Sequence, residues 1–227
     1  MRCLNCHHVI LHQVTWSNFL SLPQNQVVCH ECQSGWEKIT GITCLSCGRP
    51  METPGLCPDC KQWEEQERWR GVLERNVSIF YYNEQMKDVM ARWKYRGDYI
   101  LAELFRGFIQ VKFQESFMHD GVVVVPIPLS GERLEERGFN QADALASFIK
   151  APRKQALSRL HGEKQSKKSR QERMETINPF LLVEPVRQPV LLVDDIYTTG
   201  MTLRHAAKLL KANGTPNVYS LTLIRSG

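Results

Sequence analysis

Apolar positions in this chain follow two periods. Short runs rich in β-branched and aromatic residues have the length and make-up of strands: Val77–Tyr82 (VSIFYY), the stretch inside Gly121–Ser130 (GVVVVPIPLS), Val190–Val193 (VLLV) and Asn217–Ile224 (NVYSLTLI). The near-continuous apolar character of two of them predicts burial on both faces. Between the strands the period lengthens. Met86, Val89, Met90 and Trp93 recur at the i, i+3, i+4, i+7 spacing of an amphipathic helix. A second helix is expected across Tyr99–Phe117, with Leu101, Leu104, Phe105 and Phe108 on one side, and a third over Gln141–Lys150. A fourth, Thr202–Asn213, turns Leu203, Ala206, Ala207 and Leu210 inward and Lys208 and Lys211 outward, with Gly214 placed to stop it. Pro179–Val183 reads as a short edge strand between prolines. Strands alternating with helices predict an α/β fold with a doubly wound parallel sheet.

The first sixty residues break this pattern. They hold all eight cysteines, in four Cys-x-x-Cys pairs: Cys3/Cys6, Cys29/Cys32, Cys44/Cys47 and Cys57/Cys60. Each pair sets two thiolates at adjacent corners of a tetrahedron around zinc, and two pairs close a structural site. Four pairs therefore predict two zinc ions. Sequential pairing is the simplest, and a cross-braced arrangement, first with third and second with fourth, is the alternative. Gly48 directly follows Cys47, as a zinc knuckle requires where backbone amides turn toward sulfur. His7, His8, His12 and His30 lie near enough in sequence to replace a cysteine. A segment this poor in aliphatics cannot fold on its own core, so metal would supply most of its folding free energy. Lys61–Arg75 is dense in charge with Trp63 and Trp69 interspersed, a helical or extended connector. The expected division is a zinc-ribbon-like module over residues 1–70 and an α/β domain over 71–227.

Candidate chemistry concentrates in Val190–Thr202, VLLVDDIYTTGMT. Asp194 and Asp195 fall where the strand should end, the edge at which open α/β sheets hold ligands. Adjacent carboxylates accept hydrogen bonds from a vicinal diol and hold the water shell of a divalent cation. Thr198, Thr199 and Thr202 supply hydroxyls, Gly200 a tight turn, and the helix opening at Met201–Thr202 unpaired amides for a phosphate. Upstream, Pro126 and Pro128 cannot donate to a ladder, so the Val122–Val125 strand must yield to a rigid loop, Pro126–Ile127–Pro128–Leu129–Ser130, lining the same crevice. Lys94 and Arg96, beside Gly97, are either surface charges or reach a diphosphate. Arg137 has the same two readings, since guanidinium pairs bidentately with phosphate oxygens. Arg133 among several glutamates reads as surface.

The formal net charge of +5 is modest for a duplex binder. It is locally steep: Lys164, Lys167, Lys168, Arg170 and Arg173 share one ten-residue run, which reads as a solvated loop or as an arm for anions or nucleic acid. No apolar run approaches bilayer length, and MRCLNCHHVI has cysteines and histidines where a secretory signal is apolar. A cytoplasmic protein is expected.

The VLLVDDIYTTGMT stretch closely resembles the phosphoribosyl pyrophosphate (PRPP) motif of type I phosphoribosyltransferases. With the Cys-x-x-Cys module, the Lys94–Asp98 turn (KYRGD) and VPIPLSGERLEERGFNQA, it resembles the ComF family of competence proteins, most of all its ComFC branch, over essentially the whole chain. The resemblance implies a type I phosphoribosyltransferase-like fold behind a four-cysteine zinc module and a role in natural transformation. It implies PRPP with Mg at Asp194, Asp195, Thr198, Thr199, Gly200, Met201 and Thr202, with the diphosphate beside Pro126–Ser130. Single-stranded DNA, a ComFA-like helicase ATPase and DNA-processing proteins are the implied partners, which would recruit the protein to the inner face of the membrane. The second cysteine set departs from relatives that need one four-cysteine site. Two roles stay open: a Mg-dependent phosphoribosyltransferase, for which no general base stands out, or a DNA-handling adaptor using the basic run, with Trp63 and Trp69 as exposed stacking surfaces.

Overall fold

Strand-forming runs separated by helix-length segments have the crossovers that parallel pairing needs, and they pair in parallel. A computed structural model describes residues 1–11, 26–95, 97–118, 120–160 and 178–227. The central sheet is formed by β1 (Asn76–Tyr81), β2 (Val123–Pro126), β5 (Val190–Tyr197) and β6 (Val218–Arg225), in the order β1-β6-β5-β2, all parallel. A second, antiparallel pair joins β3 (Leu157–Arg159) to β4 (Phe180–Leu182). This is the α/β parallel sheet behind a cysteine-rich N-terminus that the patterning predicts.

Both faces are covered. Leu191, Val193, Leu221 and Leu223 pack with Met86, Val89, Met90 and Trp93 of α3 (Glu84–Tyr95) and with Ile109 and Phe113 of α4 (Arg106–Phe117). Val190, Leu192 and Val218 pack on the other face with Leu203, Ala206, Ala207 and Leu210 of α7 (Met201–Ala212). Two short helices, α1 (His30–Ser34) and α2 (Pro58–Glu65), belong to the cysteine-rich segment.

Three elements differ from expectation. Tyr99–Phe117 is not one helix. Its first part, Tyr99–Phe105, is a 3-10 helix, with the buried Leu101 and Leu104 three residues apart on one side of the tighter turn. The charged stretch Glu132–Asn140, for which no helix is expected, holds α5 (Gly131–Arg137), which ends on the left-handed Gly138. None of its residues is buried, so no apolar stripe betrays it. The helix after it is shorter than expected, α6 (Gln141–Ala146).

The sheet's outer edges are covered by backbone. Beyond β2, Val124 donates to the Pro152 carbonyl at 2.8 Å and accepts from the Lys154 amide at 3.0 Å. Beyond β1, Ile39 donates to Ile79 and Tyr81 to Glu37, both at 2.9 Å.

A buried polar ladder ties β1 to β6. Asn76 donates through Nδ2 to Ser78 Oγ at 2.9 Å and to the Cys47 carbonyl at 3.2 Å, and its Oδ1 accepts from Ser220 Oγ at 2.8 Å. Ser78 and Thr222 share a 2.7 Å hydroxyl bond. Buried groups stripped of partners cost more than the bonds themselves contribute. Asn76→Ala is expected to lower unfolding free energy by about 2–4 kcal/mol in urea titration, and a loss under about 0.5 kcal/mol would show the ladder to be dispensable.

Candidate functional site

The β2 ladder stops because its chemistry runs out. Pro126 pairs with Val193, Ile127 N donates to the Val193 carbonyl at 2.9 Å, and Pro128 then has no hydrogen to give. β5 loses its β2 neighbour there but does not end, a correction to the expected boundary. It runs three residues past Asp194 beside β6 alone, with Asp194 opposite Thr222 and Tyr197 opposite Arg225. The side-chain alternation slips in this stretch: Leu191, Val193 and Ile196 pack with one core, and Tyr197 with the other. Asp194 and Asp195 therefore lie on the part of β5 beyond its last pairing with β2, both half-buried.

Cations converge on the pair from three elements. Lys94, in the last turn of α3, forms an ion pair with Asp195, both side chains 14% exposed. Arg137, ending α5, interacts electrostatically with Asp195, donates to Gln141 Oε1 at 3.0 Å and lies 5.8 Å from the Tyr95 ring centre. Arg159 on β3 interacts with Asp194. Burial, and then the charge of Asp195, push the Asp194 carboxyl up to about 7, although the Asp195 amide donates to Asp194 Oδ1 at 2.9 Å. Burial presses Asp195 upward too, but the Lys94 ammonium outweighs it and holds Asp195 below the ordinary carboxylate range. Burial, then like-charged Arg133, lower Arg159.

The turn after β5 is shaped from within. Gly200 has φ of +76°, and a Cβ there would lie 2.2 Å from Tyr197 Oη and 2.5 Å from Arg204 Nη1. Close approach thus explains this glycine, but the approaching groups belong to the protein itself. Thr199 Oγ1 accepts from the Met201 amide at 3.4 Å, Thr198 is exposed, and Met201 and Thr202 are half-buried at the opening of α7. Carboxylates, hydroxyls and helix-start amides on one strand–turn–helix can hold a polyol phosphate. Pro128, Leu129 and Ser130 are half-buried near this end of the sheet, and Asn140 Nδ2 fixes the Ile127 carbonyl at 3.0 Å.

The cysteines assemble into two clusters by sequential pairing: Cys3, Cys6, Cys29, Cys32 and Cys44, Cys47, Cys57, Cys60. Within each, the sulfurs lie within 4.8 Å of one another. The Cys6–Cys29 and Cys47–Cys57 sulfurs are 3.6 and 3.7 Å apart. A disulfide needs about 2.05 Å, whereas tetrahedral bonds of about 2.3 Å to zinc place sulfurs about 3.8 Å apart. Amides of Cys29 and Cys57 donate to the sulfurs of Cys3 and Cys44, each at 3.3 Å. Gly48 takes its expected knuckle role at φ of +70°; His7 adopts the same conformation, φ 63°, in the first cluster. Both clusters suit zinc. They sit on opposite faces of the sheet, the second fully buried.

Several expected site residues fall elsewhere. Arg96 and the basic run Lys164, Lys167, Lys168, Arg170 and Arg173 lie outside the described residues, as does His12. Trp63 and Trp69 are corrected: they are 2% and 1% exposed, with rings 5.6 Å apart, and Trp69 packs 5.1 Å from His205. Their neighbours' charge suggested a solvated connector, yet both rings turn inward over α7. Arg159 was missed because a lone arginine in a three-residue strand leaves no pattern.

No family model matches the chain. Two curated relatives carry the name competence protein ComFC. The one from Bacillus subtilis is 40% identical over 227 residues, covering 99% of this chain and 95% of its own length. The one from Streptococcus pneumoniae is 34% identical over 228 residues, covering 99% and 100%. Among solved structures, a hypoxanthine phosphoribosyltransferase from Staphylococcus aureus aligns over 55% of this chain and 64% of its own at 17% identity, with a TM-score of 0.34, too loose a likeness to carry weight.

Two outcomes are expected. Metal analysis of purified protein should find about two zinc atoms per chain, and finding none defeats the cluster assignment. The raised Asp194 carboxyl means that the folded state binds this proton more tightly than the unfolded chain does. Stability from it is full below about pH 4 and is lost as pH rises toward about 7. Asp194→Asn should therefore stabilise the free protein at pH 8 by on the order of 1–3 kcal/mol in urea titration, with the difference shrinking toward pH 4. An equal effect at both pH values would contradict it.

Proposed function

The chain belongs to the ComFC family of competence proteins, and we propose that it is a competence factor for natural transformation, binding PRPP and single-stranded DNA during uptake of transforming DNA into the cytoplasm. The observation that carries the PRPP half is the paired acids at the strand end, joined by one tight turn to the start of α7. In this reading Asp194 and Asp195 accept hydrogen bonds from the ribose hydroxyls. Thr198, Thr199, Gly200, Met201 and Thr202 enclose the 5-phosphate. The diphosphate with its Mg lies on the side of Pro126–Ser130, where Lys94 and Arg137 supply positive charge. Lys94 then has two roles in turn: it neutralises Asp195 in the free protein and turns to the diphosphate when the sugar arrives.

The convergence of Lys94, Arg137 and Arg159 also favours a second reading, an active Mg-dependent phosphoribosyltransferase on an unidentified acceptor. Those charges would stabilise the departing diphosphate. In either reading the cysteine module at residues 1–70 serves the domain at 71–227, and two zinc ions hold it folded. Lys164, Lys167, Lys168, Arg170 and Arg173 provide a sequence-independent grip on the DNA backbone. A ComFA-like helicase ATPase and DNA-processing proteins are the partners this role needs, bringing the protein to the inner face of the membrane. No helix among the described residues is long and apolar enough to cross it.

Calorimetric titration with Mg and PRPP, with and without single-stranded DNA, tests the proposal. Saturable PRPP binding is expected, weakened at least about tenfold by Asp195→Ala, which removes charge-assisted hydrogen bonds, while DNA affinity stays unchanged. Absence of PRPP binding to the wild-type protein would refute the reading. Diphosphate release on adding an acceptor would favour the transferase.

A further inference from the structure

Two arginines lie deep in the second core without a carboxylate. Arg204 is 1% exposed and Arg225 is 3% exposed, and among the described residues neither forms an ion pair with an acid. A guanidinium is costly to bury unless a negative charge lies near. The counter-charge they face is the second cysteine cluster. Arg204 interacts electrostatically with Cys60, and Arg225 with Cys47. Arg225 also donates to the Cys47 carbonyl at 3.2 Å. Four thiolates around one zinc carry a net charge of about −2, which two guanidiniums balance.

The same arginines hold the turn after β5. Arg204 Nη1 donates to Tyr197 Oη at 2.9 Å, and its guanidinium lies 4.6 Å from the ring centre of Trp63, three residues after Cys60 on α2. Arg225 lies 4.8 Å from the Tyr197 ring centre. Gly200 is pressed against both the tyrosine hydroxyl and the Arg204 guanidinium, so that not even a methyl group would fit. A continuous path of polar and ring contacts thus runs from Cys47 and Cys60 through Arg225, Arg204 and Tyr197 to the Thr198–Gly200 turn. Among the described residues the first cluster leads elsewhere. Arg92 donates to the Asn5 carbonyl at 2.8 Å and sits in the last turn of α3 on the other face, two residues before Lys94, which pairs with Asp195 and not with the Thr198–Gly200 turn.

We infer that metal in the Cys44–Cys47–Cys57–Cys60 cluster controls the phosphate turn, with Arg204 and Arg225 as positioning residues, whereas metal in the first cluster does not. When the ion leaves, the ligand segments are no longer held together. The Cys47 carbonyl and the Trp63 ring that seat Arg225 and Arg204 then shift, and Tyr197 and the turn lose their support. The effect on ligand rests on the PRPP reading; the coupling of cluster to turn does not.

The test compares four full-length proteins: wild type, Cys57→Ser/Cys60→Ser, Cys3→Ser/Cys6→Ser and Arg204→Met. Three readouts are taken: hydrogen exchange across residues 197–204, zinc release to a chelator, and calorimetry with ribose 5-phosphate. Loss of an outer partner of a metal ligand typically weakens metal binding by about 10–100-fold. Arg204→Met should accordingly release one of its two zinc ions about tenfold faster, leave the other unchanged, and speed exchange at residues 197–204. Cys57→Ser/Cys60→Ser should expose the same amides, and Cys3→Ser/Cys6→Ser should not. If a cysteine variant does not fold, Arg204→Met and Tyr197→Phe, which keeps the ring and removes the acceptor, still decide the matter. Wild-type zinc release and exchange in both would overturn the coupling. Failure of wild-type protein to bind ribose 5-phosphate would count against the PRPP reading alone, because exchange and zinc release report the coupling without ligand.

Discussion

Two carboxyl groups on neighbouring residues, half-shielded from water at the end of a buried strand, repel each other, and much of the surrounding fold answers that repulsion. Lys94 settles Asp195 as an anion, and the proton that Asp194 retains near neutral pH relieves what Lys94 does not. The cations arrive from α3, α5 and β3, three elements far apart in sequence. Such an arrangement is tense without ligand. A diol that donates hydrogen bonds to both acids, or a divalent cation, would relieve it better than one ammonium can.

Much of this was legible in the chain itself. The strand–acid–turn–helix order stands out because every member lies within thirteen consecutive residues, and the cysteine clusters because Cys-x-x-Cys spacing is a local constraint. Sequential pairing of the cysteines is the simplest reading, with cross-bracing as the alternative, and the structure shows the sequential clusters. The partners of the acids were less legible. Lys94 reads as a surface charge or a diphosphate contact, and its ion pair with Asp195 is not foreseen, since sequence spacing says nothing about which strand end a helix terminus will meet. Arg204 was invisible: it lies beside Leu203 in a helix whose inward stripe is clear, and only the cysteine cluster beyond explains a buried charge there. Trp63 and Trp69 misled because their charged neighbours are solvated while the rings are not.

The two cysteine clusters, alike in spacing, differ in surroundings. The first is partly exposed and packs beside α3, with Cys3 its one buried member. The second is buried throughout, its Cys47 carbonyl shared by Asn76 of β1 and Arg225 of β6. One behaves as a clip on the outside of a folded domain. The other is inside the wall, continuous with the polar ladder that joins the first and last strands.

The covered edges of the sheet set terms for company. An open edge strand invites another chain to extend the ladder, which is how many proteins recruit peptides and how unguarded ones aggregate. Here the backbone of Pro152–Lys154 occupies one flank, and residues 37–39 occupy the other. With both of these berths taken by its own polypeptide, a visitor to the outer strands of the central sheet is met by side chains, and selectivity there is written in surface chemistry instead of main-chain pairing.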